Sequence, residues 1–408
     1  MKDRIAIISL HGSPLAALGG TDSGGQNVYV MQIAKNLSKH FFVDVFTRKT
    51  HPNEKPIVRK NGFRVVHIDA GPAAPIPKEK LLPFIPEFSL GIRNFIKKNK
   101  MNYKVLHANF FDSGQAGMEI KKELGIPIIV TFHALGKIRR QYQGAQDRFP
   151  DIRFSVEEDI MRFSDGIIAE CPQDKEDMIS LYGADPKKIQ IIPCGYDPEE
   201  LKPISKAYAR SLLGLSRKKK IILQLGRIVQ RKGIENVIHA LMLLVKFYSY
   251  DSQLLIVGGE TRHPDAKKTP EIGRLARVIK RLGLSKRVHF LGRADRNWLK
   301  FFYSAADVFV STPWYEPFGI TPLEAMACKV PVVGSAVGGI KYSIVDRKTG
   351  FLVPPEEPGF LACRLAMLMA LPQQAARMGE EGFLRVSSVF TWKKVAKAVS
   401  RFYKDVAK

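Results

Sequence analysis

Two glutamates eight residues apart lie in the segment of the chain best suited to bind an anionic ligand. Glu316 and Glu324 belong to the run Ser311-Thr-Pro-Trp-Tyr-Glu-Pro-Phe-Gly-Ile-Thr-Pro-Leu-Glu-Ala325, which follows an apolar strand and opens a helix. Thr321 suits the N-cap of that helix, with Pro322 at the first helical position and Glu324 at the third. The amides and positive dipole end of a helix N-terminus attract anions such as a diphosphate. The alternative is a capping box, in which Glu324 only bonds back to a backbone amide.

Two cations follow an earlier apolar strand. Arg227 and Lys232 come directly after residues 221–225. Cations placed there would stabilise the negative charge that develops on a departing diphosphate without help from a metal. The chain has no Asp-x-Asp triplet, which also favours a metal-free site. The alternative is a set of surface basic residues at an ordinary helix start, and Arg231 is expected to be solvated.

The pattern Glu-x7-Glu, with Phe318-Gly319 after its first glutamate, resembles the signature of the family 4 retaining glycosyltransferases of GT-B fold. The resemblance continues through residues 334–339 and 346–353 and backwards to Gly226-Arg227 and Lys232-Gly233. It implies a nucleotide-sugar donor, commonly a UDP-sugar, with no cofactor and no metal. Glu324 would hold the ribose hydroxyls and Glu316 a hydroxyl of the transferred sugar. Backbone amides would meet the phosphate and sugar, namely those of Phe318, Gly319, Ile320 and Thr321.

A glycine-rich block spans residues 19–29, after the first apolar strand, and opens a helix. Its glycines let the backbone approach a ligand closely, but their spacing is not the dinucleotide-binding G-x-G-x-x-G. The block resembles the loop of the sucrose-phosphate synthase and mycothiol glycosyltransferase branches of the family. That resemblance implies that Gly24 and Gly25 touch the donor phosphate while Gln26 and Asn27 face the acceptor. The alternative is a plain tight turn.

His133 ends the apolar run 128–132 and is followed by Ala134-Leu-Gly-Lys137. A lone histidine at a strand end is more often structural. Here the sequence resembles the His-Ser-Leu-Gly-Lys run of sucrose-phosphate synthases, which implies that His133 contacts the sugar ring. Its implied role is orientation and stabilisation, because retaining transfer in this family is thought to proceed by front-side attack without an enzymatic nucleophile.

Lys78 and Arg153 match positions that grip an acceptor phosphate in the mycothiol branch, and a basic pair suits a phosphorylated sugar. Two residues depart from that branch. Phe110 stands where it has Tyr, and Ala134 where it has a hydroxyl residue. The identity of the acceptor therefore stays open.

Alternating apolar runs and helical periods predict the elements that must position these residues. The α/β pattern occurs twice, which predicts two doubly wound Rossmann-like domains, over 1–195 and 196–390. The resemblance implies that the first binds the acceptor and the second the nucleotide sugar. A terminal helix over 391–408 needs a face for its apolar residues and is expected to pack across the domain joint. Five prolines predict an irregular loop over 70–86. Ligands of such sheets bind at the carboxyl ends of the strands, so we expect the site in a cleft between strand-end loops.

Composition limits the class of protein. The 408 residues are 45% apolar, contain no apolar run long enough to span a membrane, and begin without a secretion signal, which predicts a soluble cytoplasmic protein. The four cysteines have no metal-ligand or disulfide-framework spacing.

Positive charge is concentrated in the second half of the chain. Of the formal net charge of +25, residues 201–408 supply 36 Lys+Arg against 15 Asp+Glu. This field attracts polyanions, so peripheral contact with an acidic membrane is expected, without specific nucleic-acid recognition, and the field also suits a dianionic nucleotide sugar. The acceptor implied by the resemblance is a sugar or sugar phosphate. The leading hypothesis is a sucrose-phosphate-synthase-like glucosyltransferase. Alternatives are a mycothiol-type or lipid-directed transferase, a polyanion-binding protein on a degenerate transferase scaffold, and a nucleotide-sugar epimerase.

Overall fold

A computed structural model describes residues 2–16 and 24–407, and the chain forms two compact units. The first unit holds the described residues up to Cys194 together with the segment from Trp392 onward, and the second runs from Gly195 to Thr391. The chain therefore passes between the units twice. Residues 19–23 of the glycine-rich block lie outside the described ranges.

The first unit is a doubly wound sheet. Its strands in the described residues are β1 (Arg4–Ile8), β2 (Phe42–Arg48), β3 (Ile57–Lys60), β4 (Phe63–Ile68), β5 (Tyr103–Asn109), β6 (Ile128–Thr131), β7 (Gly166–Ala169) and β8 (Ile189–Ile191). They lie in the order β3-β4-β2-β1-β5-β6-β7-β8, parallel throughout except for the antiparallel β3–β4 pair. The helices of this part are α1 (Gly25–Leu37), α2 (Ile85–Lys98), α3 (Phe111–Leu124), α4 (Gly136–Gln143), α5 (Ile152–Phe163) and α6 (Pro172–Tyr182).

The second unit repeats the pattern with a six-stranded parallel sheet. Its strands are β9 (Lys220–Leu225), β10 (Ser252–Val257), β11 (Val288–Gly292), β12 (Val308–Ser311), β13 (Val332–Ser335) and β14 (Gly350–Val353), in the order β11-β10-β9-β12-β13-β14. Its helices are α7 (Lys206–Leu212), α8 (Ile234–Tyr248), α9 (Pro270–Arg281), α10 (Arg296–Ala305), α11 (Ile320–Ala327), α12 (Gly338–Ser343), α13 (Pro358–Ala370) and α14 (Pro372–Val389). Central strands such as β12 and β13 are buried along their whole length, as expected where helices cover both faces of a sheet.

The last helix, α15 (Trp392–Val406), packs on the first unit. The Trp392 ring meets the Tyr29 ring edge-on at 5.8 Å, and the Tyr403 hydroxyl lies 2.6 Å from His107 Nδ1. Burial lowers the pKa of His107 to about 3, so the ring stays neutral at physiological pH. The apolar face of α15 is thus buried against elements that precede it by some 300 residues in the chain.

The proline-rich segment is less irregular than its composition predicts. Short 3-10 turns occupy Lys78–Lys80 and Leu82–Phe84, and α2 begins at Ile85 with Pro86 in its first turn. Proline at the start of a helix loses no hydrogen bond, because the first amides have no partner within the helix. Within the described residues, no helix has both the length and the apolar character needed to cross a bilayer.

Candidate active site

In the second unit, the turn that carries the predicted cation Lys232 lies against the end of β12. The 3-10 turn Gln230–Lys232 closes at Gly233, whose φ of 65° lies in the left-handed region. A Cβ on Gly233 would stand 1.9 Å from the carbonyl oxygen of Thr312, and the Thr312 hydroxyl donates to the Gly233 carbonyl at 3.1 Å. Only glycine fits at this position, because it adopts the left-handed backbone conformation without strain and has no Cβ to collide with the Thr312 carbonyl. This fit sets Lys232 beside the loop that follows β12.

The same loop is fixed from its other side by the start of α12. Gly338 has a φ of 44°, and a Cβ there would stand 1.9 Å from the carbonyl oxygen of Glu316. The Gly339 amide donates to the carbonyls of Pro317 and Glu316 at 3.1 and 3.3 Å. The loop that carries Glu316 is therefore held between the loops that follow β9 and β13.

These contacts bring together a cluster of one carboxylate and neighbouring cations. Lys232 Nζ donates to Glu316 Oε2, and Arg231 Nη1 lies 3.9 Å from the same oxygen. The Lys232 and Glu316 side chains are 18% and 13% exposed. The expectation that Arg231 is solvated is wrong, because its guanidinium lies 5.2 Å from the centre of the Tyr315 ring and its side chain is largely buried.

The cluster carries excess positive charge at neutral pH. Burial lowers the pKa of Lys232 to about 8 against the opposing pull of Glu316, and Arg231 and Arg227 lower it further. Burial alone would raise the pKa of Glu316, but Lys232, Arg231 and Arg227 together hold that pKa below its ordinary value. Three cations thus act on one ionised carboxylate, an arrangement suited to a diphosphate.

A pH dependence follows from the lowered pKa of Lys232. If this cation serves catalysis, we expect kcat/KM to fall as the pH rises through about 8, because the ammonium loses its proton there. Since the folded pKa lies below the ordinary 10.5, the unfolded chain binds this proton more tightly, and deprotonation of Lys232 does not itself favour unfolding. Initial rates from pH 6.5 to 9.5 check the expectation. Lys232→Arg keeps its charge and should abolish the fall; an equal fall in that variant would contradict the assignment to Lys232.

The helix that carries Glu324 begins earlier than predicted. Gly319 is the N-cap of α11 with a φ of 89°, so Phe318 and Gly319 precede the helix, Ile320 is its first residue and Thr321 its second. The prediction of Thr321 as N-cap is wrong, because the left-handed conformation of Gly319 already turns the chain into the helix.

The Glu324 carboxylate is hydrogen-bonded to side chains and does not form a capping box. Its buried carboxylate accepts hydrogen bonds from the Tyr303 hydroxyl at 2.8 Å and from Arg296 Nη2 at 3.3 Å. Arg296 also donates from Nε to Glu200 at 2.7 Å. Both donors lie on α10, seven residues apart and therefore on one helix face, and neither was among the predicted site residues. The guanidinium of Arg296 and the Tyr303 hydroxyl together orient the Glu324 carboxylate.

In the first unit, His133 stands just beyond β6 with its ring held at both nitrogens. Its φ of 58° is unusual for a residue other than glycine. Nδ1 lies 2.9 Å from Glu170 Oε1 and Nε2 lies 3.0 Å from Asn109 Oδ1. The Tyr29 ring packs edge-on against the imidazole at 4.8 Å. Partners at both nitrogens and the Tyr29 ring therefore fix the orientation of this imidazole.

The described part of the glycine-rich block lies at the start of α1. Gly25 opens the helix, and the Gly24 amide donates to Asn27 Oδ1 at 2.9 Å. The Asn27 amide group donates to the Ser13 carbonyl at 2.9 Å, and its side chain is buried. Gln26 donates to the Ser9 hydroxyl and to the Asn109 carbonyl. Asn27 thus holds the loop, whereas Gln26 lies beside the residues that hold His133.

One pair at this edge was missed by the sequence reasoning. His11, just beyond β1, lies with Nδ1 2.8 Å from Asp112 Oδ2, and its ring meets Phe110 edge-on at 4.9 Å. A histidine soon after the first apolar run was the available signal. Its partner comes from the start of α3, about 100 residues later, and becomes a neighbour only because β1 pairs with β5.

The two predicted acceptor cations differ in surroundings. Lys78 lies in the turn Lys78–Lys80 and is half-buried. Arg153 is 0% exposed, donates from Nε to Glu157 at 2.7 Å and from Nη2 to the Ala134 carbonyl at 2.6 Å. The rings of three phenylalanines surround its guanidinium at 4.4 to 4.8 Å, namely Phe110, Phe111 and Phe149. In this conformation Arg153 offers no surface to an acceptor, because the protein itself encloses it.

Across residues 2–16 and 24–407, no three His, Cys, Asp or Glu side chains gather in a way that could hold a metal ion.

Two doubly wound parallel-sheet domains with charged residues after their strands are the architecture of the GT-B glycosyltransferases. A family profile described as Glycosyltransferase Family 4 matches residues 23–200, and one described as Glycosyl transferases group 1 matches residues 208–385. The D-inositol 3-phosphate glycosyltransferase of Corynebacterium diphtheriae is 31% identical over 414 residues, covering 100% of this chain and 96% of its own. The chain belongs to the family 4 glycosyltransferases, and the family and fold expected from the sequence are confirmed.

Solved structures agree with this fold. Sucrose-phosphate synthase from Thermosynechococcus elongatus is 33% identical and superposes with a TM-score of 0.91, covering 99% of both chains. The Anabaena protein HepE, solved in complex with UDP-glucose, is 20% identical with a TM-score of 0.76, covering 98% of this chain and 99% of its own. The chain is thus similar over its whole length both to an inositol-phosphate transferase and to a sucrose-phosphate synthase.

Proposed function

We propose that the chain is a retaining, metal-independent hexosyltransferase that moves glucose from UDP-glucose to a sugar phosphate, like sucrose-phosphate synthase. The observation that carries the proposal is the buried cluster of Glu316 with Lys232 and Arg231 in the second unit, next to the loop that leads to Glu324. Its excess positive charge matches the charge of a nucleoside diphosphate.

In this proposal the cluster stabilises the nucleoside diphosphate as it leaves the sugar. The bond between C1 of the sugar and the diphosphate oxygen breaks, and the acceptor oxygen forms a new bond to C1 on the same face. The proton of the acceptor hydroxyl passes to the departing phosphate. Arg227 and Lys232 would stabilise the charge that develops on the diphosphate, and Glu316 would hold a sugar hydroxyl while keeping Lys232 in place. Preplaced cations cost no reorganisation at the moment of reaction.

Residues of the first unit would serve the sugar and the acceptor. His133 would contact the transferred sugar, Gly24 and Gly25 the donor phosphate, and Gln26 the acceptor. Of the two predicted acceptor cations, the half-buried Lys78 fits contact with a phosphate better than the enclosed Arg153. We therefore assign the acceptor phosphate to Lys78.

Two versions of this proposal differ in the acceptor. A hexose phosphate such as fructose 6-phosphate would make a phosphorylated disaccharide, whereas the inositol 3-phosphate named for the corynebacterial relative would make a mycothiol-type product. The positive excess of residues 201–408 additionally favours contact with an acidic membrane surface as a proposed partner interaction.

We expect UDP release from UDP-glucose that depends on added acceptor and is unaffected by EDTA. Parallel reactions with fructose 6-phosphate and D-inositol 3-phosphate identify the acceptor, and the anomeric coupling constant of the product by NMR tests retention. ADP-glucose, GDP-glucose and UDP-N-acetylglucosamine serve as donor controls. A thermal-shift screen of the same donors reports binding separately from turnover. No turnover with any donor and acceptor pair would count against the proposal. A product in which the transferred glucose is β-linked would exclude retention.

A further inference from the structure

Sheet register places an acidic residue directly beside His133. β6 and β7 are parallel neighbours in which Thr131 pairs with Ile168. Two residues beyond this pair, past the ends of both strands, His133 and Glu170 lie next to each other at the carboxyl edge of the sheet. The juxtaposition is thus built into the pairing of the strands rather than into a mobile loop.

Glu170 makes a direct and buried contact with the imidazole. Its Oε1 lies 2.9 Å from His133 Nδ1, and the two side chains are 4% and 9% exposed. The same oxygen accepts a hydrogen bond from the Cys194 thiol at 3.1 Å. A buried carboxylate is tolerated when hydrogen-bond donors satisfy it, and here the imidazole N–H and the thiol are such donors.

A second acidic residue, Asp174, lies next to Glu170 and holds its backbone. Asp174 accepts the backbone N–H of Glu170 at 2.9 Å. Burial, followed by the charge of Glu170, raises the pKa of Asp174 to about 8, so at neutral pH Asp174 is mostly protonated. Glu170 Oε1 already accepts the Cys194 thiol, and it faces His133 Nδ1 in the same way, with Nδ1 as the donor between them.

Asn109 and Tyr29 restrict the ring from its other sides. The Asn109 amide nitrogen donates to the carbonyl of His107 at 3.2 Å, which leaves its oxygen facing His133 Nε2 at 3.0 Å. The Tyr29 ring lies edge-on to the imidazole. With Glu170 in place, the imidazole has one orientation in which all of these contacts are made.

We infer that Glu170 is a positioning residue, which accepts a hydrogen bond from Nδ1–H of His133, fixes the orientation of that ring and so acts on the sugar only through it. This role rests on the proposed function, because it concerns the reaction in which His133 takes part. Glu170 itself contacts His133, Cys194 and Asp174 and needs no contact with substrate.

A spectroscopic test of the contact does not depend on activity. In protein labelled with ¹⁵N-histidine, the wild type should show a protonated, slowly exchanging Nδ1 signal, assigned by its loss in His133→Gln. Glu170→Ala should abolish the slow exchange, whereas Glu170→Gln keeps an acceptor oxygen and should retain part of it. A His133 signal unchanged in Glu170→Ala would overturn the inference.

A kinetic double-mutant cycle tests the consequence. Glu170→Ala should lower kcat by about 10²-fold, as expected when a reacting group is misplaced by about 1 Å, with KM for UDP-glucose changed less than about threefold. Glu170→Gln should recover most of the loss. In a His133→Ala background, Glu170→Ala should add nothing further, because its effect passes through the missing ring.

The controls separate the possible failures. Glu158→Gln removes a carboxylate of the same unit that pairs with Lys137 near the surface, and it should leave kcat unchanged. Circular dichroism verifies that each variant is folded. Full additivity of the two losses would overturn the inference. Wild-type turnover in His133→Ala would instead refute the role of His133 in the proposed function, while the NMR result would still report on the contact with Glu170.

Discussion

Replacing Lys232 with methionine is expected to lower kcat with UDP-glucose by about 10²–10³-fold, the usual cost of removing one preplaced group that stabilises developing negative charge. Methionine keeps much of the length and apolar volume of the lysine stem and removes the ammonium that donates to Glu316 Oε2. Arg231, 3.9 Å from the same oxygen, remains. Glu316 therefore keeps Arg231 and Arg227 as neighbouring cations, but the cluster loses the charge nearest to it.

The measurement is steady-state kinetics of UDP release with saturating acceptor. Lys232→Arg, which keeps a charge but not the shape, should restore part of the activity. Thermal unfolding of each variant separates a loss of catalysis from a loss of folded protein, since a buried carboxylate without its partner also destabilises the chain. Turnover by folded Lys232→Met equal to that of the wild type would refute the role assigned to the cluster.

Replacing Arg153 with methionine is expected to destabilise the first unit by about 3–5 kcal/mol, the usual cost of removing one partner of a buried ion pair. Arg153 and Glu157 are both 0% exposed and joined at 2.7 Å. Glu157 would keep only its hydrogen bonds from the Tyr182 hydroxyl at 2.6 Å and the Gly136 amide at 2.9 Å. These neutral donors do not replace the lost charge.

Thermal unfolding checks this expectation, because each kcal/mol of lost stability lowers Tm by roughly 2–4 °C in a unit of this size. Lys97→Met is the matched control, because Lys97 is a largely exposed cation that pairs with Glu123 and should cost little. The same experiment decides the role of Arg153. Wild-type stability in Arg153→Met, accompanied by a raised KM for a phosphorylated acceptor, would assign Arg153 to substrate binding instead of to the core.

Local sequence patterns predicted the strands that lie in the middle of each sheet. The Ile-Ile-Val-Thr run of β6 stands between Pro127 and His133, and its four residues are buried, so a short apolar run was a sufficient signal. β3 lacks such a run, because Ile57–Lys60 is mostly exposed and pairs on one side only, at the edge of the sheet. An edge strand of this kind has no continuous apolar run, and only its antiparallel pairing with β4 defines it.

Spacing along the chain predicted site residues that share a strand-end loop, and it failed where partners come from distant elements. Glu316 and Lys232 were identified from motifs near the ends of β12 and β9. Glu170 and Asp112 were not, because their contacts with His133 and His11 depend on which strands become neighbours. The capping prediction at Thr321 failed for a local reason, since a φ of 89° at Gly319 cannot be read from residue types alone.

Because α15 packs on the first unit, that unit can complete its fold only when synthesis of the chain has reached this last helix. Trp392 and Tyr403 cover Tyr29 and His107, yet a ribosome makes them only after every residue of the second unit. The domain that begins first is therefore finished last, and a nascent chain that stops before residue 392 leaves an apolar surface uncovered. Such a surface is a natural target for chaperones until translation ends.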